Sequence, residues 1–217
     1  MRAALRTVCC TVLLLGLAGC GARATAPVGP FIPPKVSQRP IYVVELDSGV
    51  AGLAQRFVSL CADLHVVGIP LKPLRLGPLQ DARRNQVPAE DLIDEMERGY
   101  PVLASTAGTF LFGITSADMF PRERPQWPFA HAWHAQGRFV VISVAHIDPA
   151  RMGLPPDPVR FASRFRKIVY RNLGGTFFQL HPPKGSHGLM RNPLPDLDAL
   201  DALPDAFTAE DLPPAAP

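Results

Sequence analysis

The sequence predicts an α/β fold in which helices flank a mixed β-sheet. Apolar patterns with the spacing of strands and helices follow one another in the order strand, helix, strand, helix, strand, strand, helix. Two of the strand patterns, residues 109–115 (TFLFGIT) and 138–145 (RFVVISVA), are too apolar for a half-exposed strand, which indicates central strands covered on both faces. With 47% hydrophobic and 19% charged residues, the chain has the composition of a globular protein.

The first part of the predicted domain alternates strands and helices. Residues 41–46 (IYVVEL) are rich in β-branched and aromatic side chains and are predicted to form a buried strand. Apolar residues then recur at helical spacing from residue 50 to residue 64, which predicts an amphipathic helix. Cys61, the only cysteine after residue 20, is predicted to be a small buried residue on this helix. A short second strand is predicted at residues 65–69.

Two further helices have recognisable starts. Pro88, followed by two acidic residues, is predicted to begin one helix, and Asp157 with Pro158 is predicted to begin another. Gly174 and Gly175 are predicted to end the second of these helices.

The first 20 residues, MRAALRTVCCTVLLLGLAGC, have the pattern of an export signal. Two arginines precede an apolar run that is about half as long as the ~20 residues a spanning helix needs. The ending Leu-Ala-Gly-Cys resembles a bacterial lipobox, so Cys20 is expected to become the lipid-modified first residue of the mature protein. Gly21 is, by the same resemblance, compatible with sorting to an outer membrane. The expected location is therefore the periplasmic face of the outer membrane, with the membrane as a partner through Cys20.

The expected organisation has four parts. A lipoprotein signal peptide at residues 1–20 and a Pro/Gly-rich tether at residues 21–40 precede a folded domain at residues 41–203 and a disordered tail at residues 204–217. When the leader residues Arg2 and Arg6 are left out of the 22 basic residues, 20 remain against 19 acidic ones. This balance predicts no nucleic-acid partner.

The C-terminal part of the chain contains the outline of a zinc-peptidase motif. In H-E-x-x-H-x-x-G-x-x-H, three histidines bind zinc, the glutamate acts as base on the zinc-bound water, and a turn containing methionine follows. Residues 171–181 (RNLGGTFFQLH) take these eleven positions, and residues 188–190 (GLM) take the Met-turn.

The surrounding sequence supports this alignment, because it resembles the archaemetzincin family over most of residues 41–200. The matching segments, in the order of the family, are DARRNQVPAEDLIDEM (81–96), FGITSAD (112–118), WPFA (127–130), VIS (141–143) and GLM (188–190). The resemblance implies a metzincin-like fold, with a mixed twisted sheet flanked by helices, a long active-site helix and a Met-turn. By the same resemblance, Met190 would pack beneath the position that zinc takes in family members.

The positions that would bind and use zinc are degenerate. Arg171 replaces the first ligand, and a guanidinium does not lose its proton in proteins. Asn172 replaces the base, and its amide has no useful proton affinity near neutral pH. Gly175 replaces the second ligand, so that His181 alone matches a ligand position. We therefore expect no catalytic residue, no zinc and no other cofactor, and we expect His181 to be a surface or packing residue.

The other histidines are not predicted to form a metal site elsewhere. His131 and His134 lie in a predicted strand, where their spacing places the two rings on opposite faces. His187 lies in a predicted loop and is expected to be exposed. His146 is expected to be structural, and Asp118, which follows a strand, is expected to cap a turn.

The sequence thus predicts a lipid-anchored, non-catalytic protein that binds a peptide or a protein of the cell envelope. Its cleft would run beside an edge strand at residues 125–136, on which Trp127, Phe129 and Trp133 share one face. Arg171 would suit a carboxylate in that cleft. The same aromatic residues would also suit the protein core. Two alternatives stay open, a zinc-dependent peptidase with ligands not recognised in the sequence and a structural lipoprotein without a ligand.

Overall fold

The structure is a computed structural model that describes residues 39–76, 81, 83–181 and 185–212. The predicted signal peptide, Cys20 and nearly all of the predicted tether lie outside the described residues. The helices and strands in chain order are β1 (Ile41–Glu45), α1 (Leu53–Asp63), β2 (Gly68–Pro70), β3 (Val87–Pro88), α2 (Ala89–Gly99), α3 (Pro101–Ser105), β4 (Phe110–Thr115), β5 (Met119–Phe120), β6 (Ala132–Ala135), β7 (Phe139–Ser143), α4 (Pro158–Thr176) and α5 (Leu197–Ala202). No helix of the described ranges is long and apolar enough to cross a membrane.

Five strands form one mixed sheet in the order β2, β1, β4, β7, β6. β1 pairs in parallel with β2 and β4, and β4 pairs in parallel with β7. β6 pairs antiparallel with β7 and lies at one edge of the sheet. The short strands β3 and β5 pair with each other outside this sheet. The mixed sheet flanked by helices that the sequence predicts is confirmed.

The two faces of the sheet pack against different helices. One face, with Phe112 of β4, belongs to a core that also contains Phe57 of α1 and Phe165 of α4. The other face, with Leu111 of β4, packs against α2 around Met96. Neighbouring residues of a strand point to opposite faces of the sheet. Because helices cover both faces, every residue of β7 is buried, as predicted for a central strand.

Cys61 is a buried, unpaired thiol on α1, as predicted. Burial raises its pKa to about 12. The thiol therefore stays protonated at neutral pH and is a poor nucleophile.

The helix α4 begins where the sequence predicts and ends later. Asp157 caps its first turn by accepting a hydrogen bond from a backbone amide. The helix then continues through Gly174 and Gly175 to Thr176, so the prediction that these glycines end it is wrong. A Cβ atom on Gly174 would lie 2.5 Å from Met190 Sδ. Glycine at this position therefore permits the close approach of another segment rather than a turn.

Residues 204–212 belong to the folded domain, which corrects the prediction of a disordered tail from residue 204. Phe207 is buried, and its ring stacks on Tyr170 of α4 with the centroids 5.7 Å apart. Asp211 is fully buried and accepts hydrogen bonds from the amides of Leu189 and Met190. The sequence prediction missed these contacts of Phe207 and Asp211, because the Pro/Ala-rich composition of the segment is typical of a disordered tail. Residues 213–217 lie outside the described residues.

Candidate functional site

A cleft of about 770 Å³ lies where β6, α4 and the turn around Met190 meet. One wall is formed by residues 127–132 and His134. The opposite wall is formed by one face of α4, and residues 194–198 form the rim. The volume suits a small molecule or a few side chains of a peptide.

Arg171 connects α4 to the Met-turn. Its Nη1 donates hydrogen bonds to the carbonyl oxygens of Leu189, at 2.5 Å, and Arg191, at 2.8 Å. Burial lowers the pKa of Arg171, and the negative charge of Asp211 acts in the opposite direction. A guanidinium remains charged despite such a shift. At the position that the sequence alignment gives to the first zinc ligand, the chain thus has a cation that is hydrogen-bonded to backbone carbonyls.

The other motif positions do not assemble a metal site. The Nδ2 of Asn172 donates to the carbonyl of Ile168 at 2.7 Å, one turn back on the same helix. Gly175 has no side chain. His181 is exposed and does not line the cleft; its Nδ1 lies 2.7 Å from the carbonyl oxygen of Gln179.

The Met-turn is organised by a carboxylate from the last described segment. Asp211 accepts from the amides of Leu189 at 3.0 Å, Met190 at 2.7 Å and Thr208 at 2.8 Å. A Cβ atom on Gly188 would collide with this carboxylate, so glycine is required there. Sequence reasoning missed Asp211, because nothing local links it to a turn twenty residues upstream.

His131 and His134 both line the cleft, which corrects the prediction that they lie on opposite faces. The strand β6 begins at Ala132, so His131 precedes the regular alternation of side chains. Burial lowers the pKa of His131 to about 4. Burial also lowers the pKa of His134, whose Nδ1 lies 3.0 Å from the hydroxyl oxygen of Thr176. Both imidazoles are therefore neutral at pH 7.

The wall that carries Trp127 is held in place by two side chains from the loop before α2. Arg84 donates to the carbonyl oxygens of Pro125, at 3.0 Å, and Trp127, at 2.8 Å. Gln86 donates to the carbonyl oxygen of Pro128 at 2.6 Å. These residues lie in the segment that resembles the archaemetzincin family, and the structure shows that they position the cleft wall.

A small polar cluster lies behind this wall. Gln86 also donates to Asp118 Oδ2 at 3.0 Å. Asp118 Oδ1 lies 2.9 Å from His146 Nε2, without the alignment of a hydrogen bond, and within the described chain both atoms lack a hydrogen-bond partner. The ring of His146 stacks on Phe129 with the centroids 4.0 Å apart. Asp118 is thus tied to the wall through Gln86.

The three aromatic residues predicted for the cleft do not share one face. Trp127, with 41% of its surface exposed, and Phe129 line the cleft. Trp133 does not line it and packs instead against the core on the α2 side of the sheet. The predicted strand at residues 125–136 is reduced to Ala132–Ala135, so the alternation that placed the three rings together does not extend back to Trp127.

The edge strand β6 offers backbone groups to the cleft. The carbonyl of His131 accepts from the amide of Ser143 in β7. Because hydrogen-bonding direction alternates along an antiparallel strand, the amides and carbonyls of Ala132 and His134 point away from β7. Within the described part of the chain, no strand pairs with this outer edge.

The same architecture occurs in solved structures of other proteins. One is a zinc-dependent peptidase from Methanocorpusculum labreanum, with a TM-score of 0.62, 18% identity and coverage of 78% of this chain and 97% of that chain. Another is archaemetzincin from Methanopyrus kandleri, with a TM-score of 0.60, 24% identity and coverage of 82% and 93%. The fold is archaemetzincin-like.

Archaemetzincin from Archaeoglobus fulgidus, complexed with malonate, is a further match to the archaemetzincin-like fold. Its TM-score is 0.58 at 15% identity, over 79% of this chain and 97% of that chain. No family model and no curated protein matches the chain. At identities of 15–24% the likeness establishes the fold and leaves the activity to be argued from the site.

An archaemetzincin-like fold implies a zinc ion, and the residues at the corresponding positions do not fit one. A catalytic zinc site needs three protein ligands with free lone pairs. Of the three ligand positions in the aligned motif, Arg171 has no free lone pair, Gly175 contributes no side-chain atom, and His181 does not line the cleft. In the described ranges, no group of three or more His, Cys, Asp or Glu side chains is placed to hold a metal. The mismatch follows from the chemistry of the side chains.

Proposed function

We propose that this protein is a non-catalytic, lipid-anchored relative of the zinc peptidases whose cleft binds an extended peptide segment. The observation that carries the proposal is the outer edge of β6, where Ala132 and His134 present backbone groups to the cleft. An added strand would gain main-chain hydrogen bonds there, and side-chain pockets would supply selectivity. Neither contribution requires zinc.

The absence of catalysis is proposed from the side chains at the motif positions. Asn172 has no useful proton affinity near neutral pH, so it does not replace a general base. Arg171 fixes the Met-turn and adds positive charge where a zinc ion would have to bind. A zinc peptidase that uses other ligands is the competing function. One equivalent of zinc in protein purified without chelators, together with cleavage of a peptide, would support it.

Strand addition is tested by removing one outward-pointing amide from the edge. Ala132 is the first residue of β6, a position that tolerates proline, and its amide does not bond to β7. We expect Ala132→Pro to weaken the binding of a capped peptide of alternating valine and threonine by up to about tenfold, the value of one hydrogen bond. Ala132→Ser keeps the amide and is the matched control.

Binding is measured by titration calorimetry, and circular dichroism shows that each variant is folded. Equal affinity of the Ala132→Pro and Ala132→Ser variants would exclude strand addition at this edge. If the wild-type protein binds no extended peptide at all, a structural lipoprotein without a ligand is favoured.

The lipid anchor is proposed from the leader and from Cys20, which lies outside the described residues. Several acyl chains hold a protein at a membrane, whereas a single chain binds only marginally. We expect Cys20→Ala to release the protein into the soluble fraction of the cell. Cys61→Ala, which changes the buried thiol of α1, should leave it bound to the outer membrane. Retention of the Cys20→Ala variant in the membrane, with no uptake of labelled fatty acid by the wild type, would disprove the anchor.

A further inference from the structure

Two carboxylates stand at the rim of the cleft, at the start of α5. Asp196 and Asp198 both line the cleft and are exposed. Asp196 uses Oδ1 to cap α5 by accepting from the amide of Ala199 at 2.8 Å. Asp198 makes no hydrogen bond or close ion pair with any residue that the structure describes, although its charge helps to raise the pKa of Arg164. The rim therefore carries two negative charges, and the carboxylate of Asp198 has no direct bonding partner in the described chain.

The charged side chains that line the cleft are Arg171 and the two rim carboxylates. His131 and His134 are neutral at pH 7, because burial lowers the pKa of each. The guanidinium of Arg171 donates to two carbonyls, and the charge of Asp211 acts on it from beneath the Met-turn. One cation against two carboxylates leaves the cleft lining with a net negative charge, and both carboxylates belong to the rim.

The wall that carries Trp127 suits a long cationic side chain. The indole of Trp127 is partly exposed to the cleft, and aromatic faces attract ammonium and guanidinium groups. Arg124, which is not part of the lining, already lies over this ring at 5.0 Å from its centroid. The aliphatic stem of a lysine or arginine would lie on Met190 and Leu197, with its charged end at the rim.

We propose that the cleft selects peptide segments carrying a lysine or arginine side chain, held between Trp127 and the carboxylates of Asp196 and Asp198. The inference rests on the proposed function, because it names the ligand class of the same cleft. The sequence predicts that Arg171 would favour a carboxylate in the cleft. The proposed preference is the opposite one, because Arg171 donates its hydrogen bonds to the Met-turn.

The test uses three capped peptides that differ at one central position. The position holds lysine, its uncharged isostere norleucine, or glutamate, and valine and threonine alternate around it. An ion pair at an exposed rim and a cation–π contact together predict that the lysine peptide binds about tenfold more tightly than the norleucine peptide. The glutamate peptide is expected to bind more weakly than both. Affinities are measured by calorimetry at low and high salt, because salt screens the rim.

The rim is then neutralised by the double change Asp196→Asn and Asp198→Asn. Asparagine still caps a helix, so α5 should keep its start. The double variant should keep only the part of the preference that Trp127 provides, about two- to fivefold, and its affinity should no longer fall with added salt. Asp94→Asn, at an exposed aspartate on α2, is the control. This variant should keep the wild-type preference for the lysine peptide of about tenfold.

The outcomes separate this inference from the proposed function. If the wild type binds all three peptides with equal affinity, the cleft binds peptides without selecting charge, and the inference is overturned while the proposed function stands. If the glutamate peptide binds best, Arg171 and not the rim selects the ligand. If none of the three peptides binds, both the inference and the proposed function fail.

Discussion

The two sides of the cleft differ in how far their polar groups are already hydrogen-bonded within the protein. On the α4 side, Arg171 and Asn172, which the sequence alignment places at a ligand position and at the position of the base, bond to backbone carbonyls. On the β6 side, the edge strand stays open and the wall in front of it is held by Arg84 and Gln86. The α4 side is hydrogen-bonded to the Met-turn through Arg171, whereas the outer backbone groups of β6 have no strand partner within the described residues. If the cleft binds peptides as proposed, metal binding and peptide binding are separable in this fold.

If this division is right, the largest loss of stability should come from the α4 side. Asp211→Ala removes a buried charged acceptor from three backbone amides, those of Leu189, Met190 and Thr208. We expect the free energy of unfolding to fall by about 3 kcal/mol, because buried donors without partners are costly. Urea denaturation measures it, with Asp94→Ala as a surface control. A loss as small as that of the control would show that the Met-turn does not depend on Asp211.

The β6 side should instead carry a dependence on pH. His131 binds its proton more weakly in the folded protein, because burial and the nearby His146 and Arg164 lower its pKa from 6.5 to about 4, against the opposing charge of Asp118. The unfolded chain therefore binds more protons between these values, and the free energy of unfolding should fall as the pH falls through this window.

This pH dependence is measured by urea denaturation at several pH values. His131→Gln should lose less stability than the wild type on acidification, whereas His187→Gln, at an exposed position, should behave like the wild type. Parallel curves for the wild type and His131→Gln would place the acid sensitivity elsewhere.

Adjacent glycines on α4 should respond in opposite ways. A Cβ atom on Gly174 would lie 2.5 Å from Met190 Sδ and 3.0 Å from Phe207 Cε1, whereas one on Gly175 would lie 3.9 Å from Met190 Cε. Gly174→Ala should cost about 1–2 kcal/mol through overpacking. Gly175→Ala should add up to about 1 kcal/mol through helix propensity. Thermal melting compares the two, and equal shifts would show that α4 does not pack tightly on the Met-turn.

The smallest effect on stability should come from the cleft wall that carries Trp127. A change in this wall should also lower the affinity for peptides. Arg84→Lys removes the fork that reaches the carbonyls of Pro125 and Trp127. We expect a loss of about 1 kcal/mol in unfolding free energy and a clear loss of affinity for the lysine peptide. Arg83→Lys, at an exposed neighbour, is the control. Unchanged peptide affinity in Arg84→Lys would show that peptide binding does not depend on the hydrogen bonds from Arg84 to the cleft wall.

The sequence predicted what depends on local pattern and on the chemistry of single residues. The apolar runs of β4 and β7 and the cap at Asp157 were confirmed because periodicity and capping act over a few residues. Arg171 and Asn172 could be assigned to motif positions because the alignment depends only on the spacing of residues along the sequence.

Contacts between distant segments were not predictable in this way. Trp133 turned to the α2 side, and His131 and His134 came to the same cleft, because the strand is shorter than the aromatic run suggested. Asp211 lies in a stretch whose composition resembles a tail, and its role appears only when the Met-turn is brought against it. Where an edge strand begins, and which distant turn a carboxylate reaches, depend on the packed fold.

The dependence of the Met-turn on Asp211 also orders events during synthesis. The amides of Leu189 and Met190 lack their carboxylate partner until residue 211 has been made and has left the ribosome. A chain held on the ribosome before that point has its sheet residues, but the turn around Met190 at the cleft is incomplete. If the cleft binds peptides as proposed, binding should therefore begin only after residue 211 is free, so that a nascent chain does not bind them.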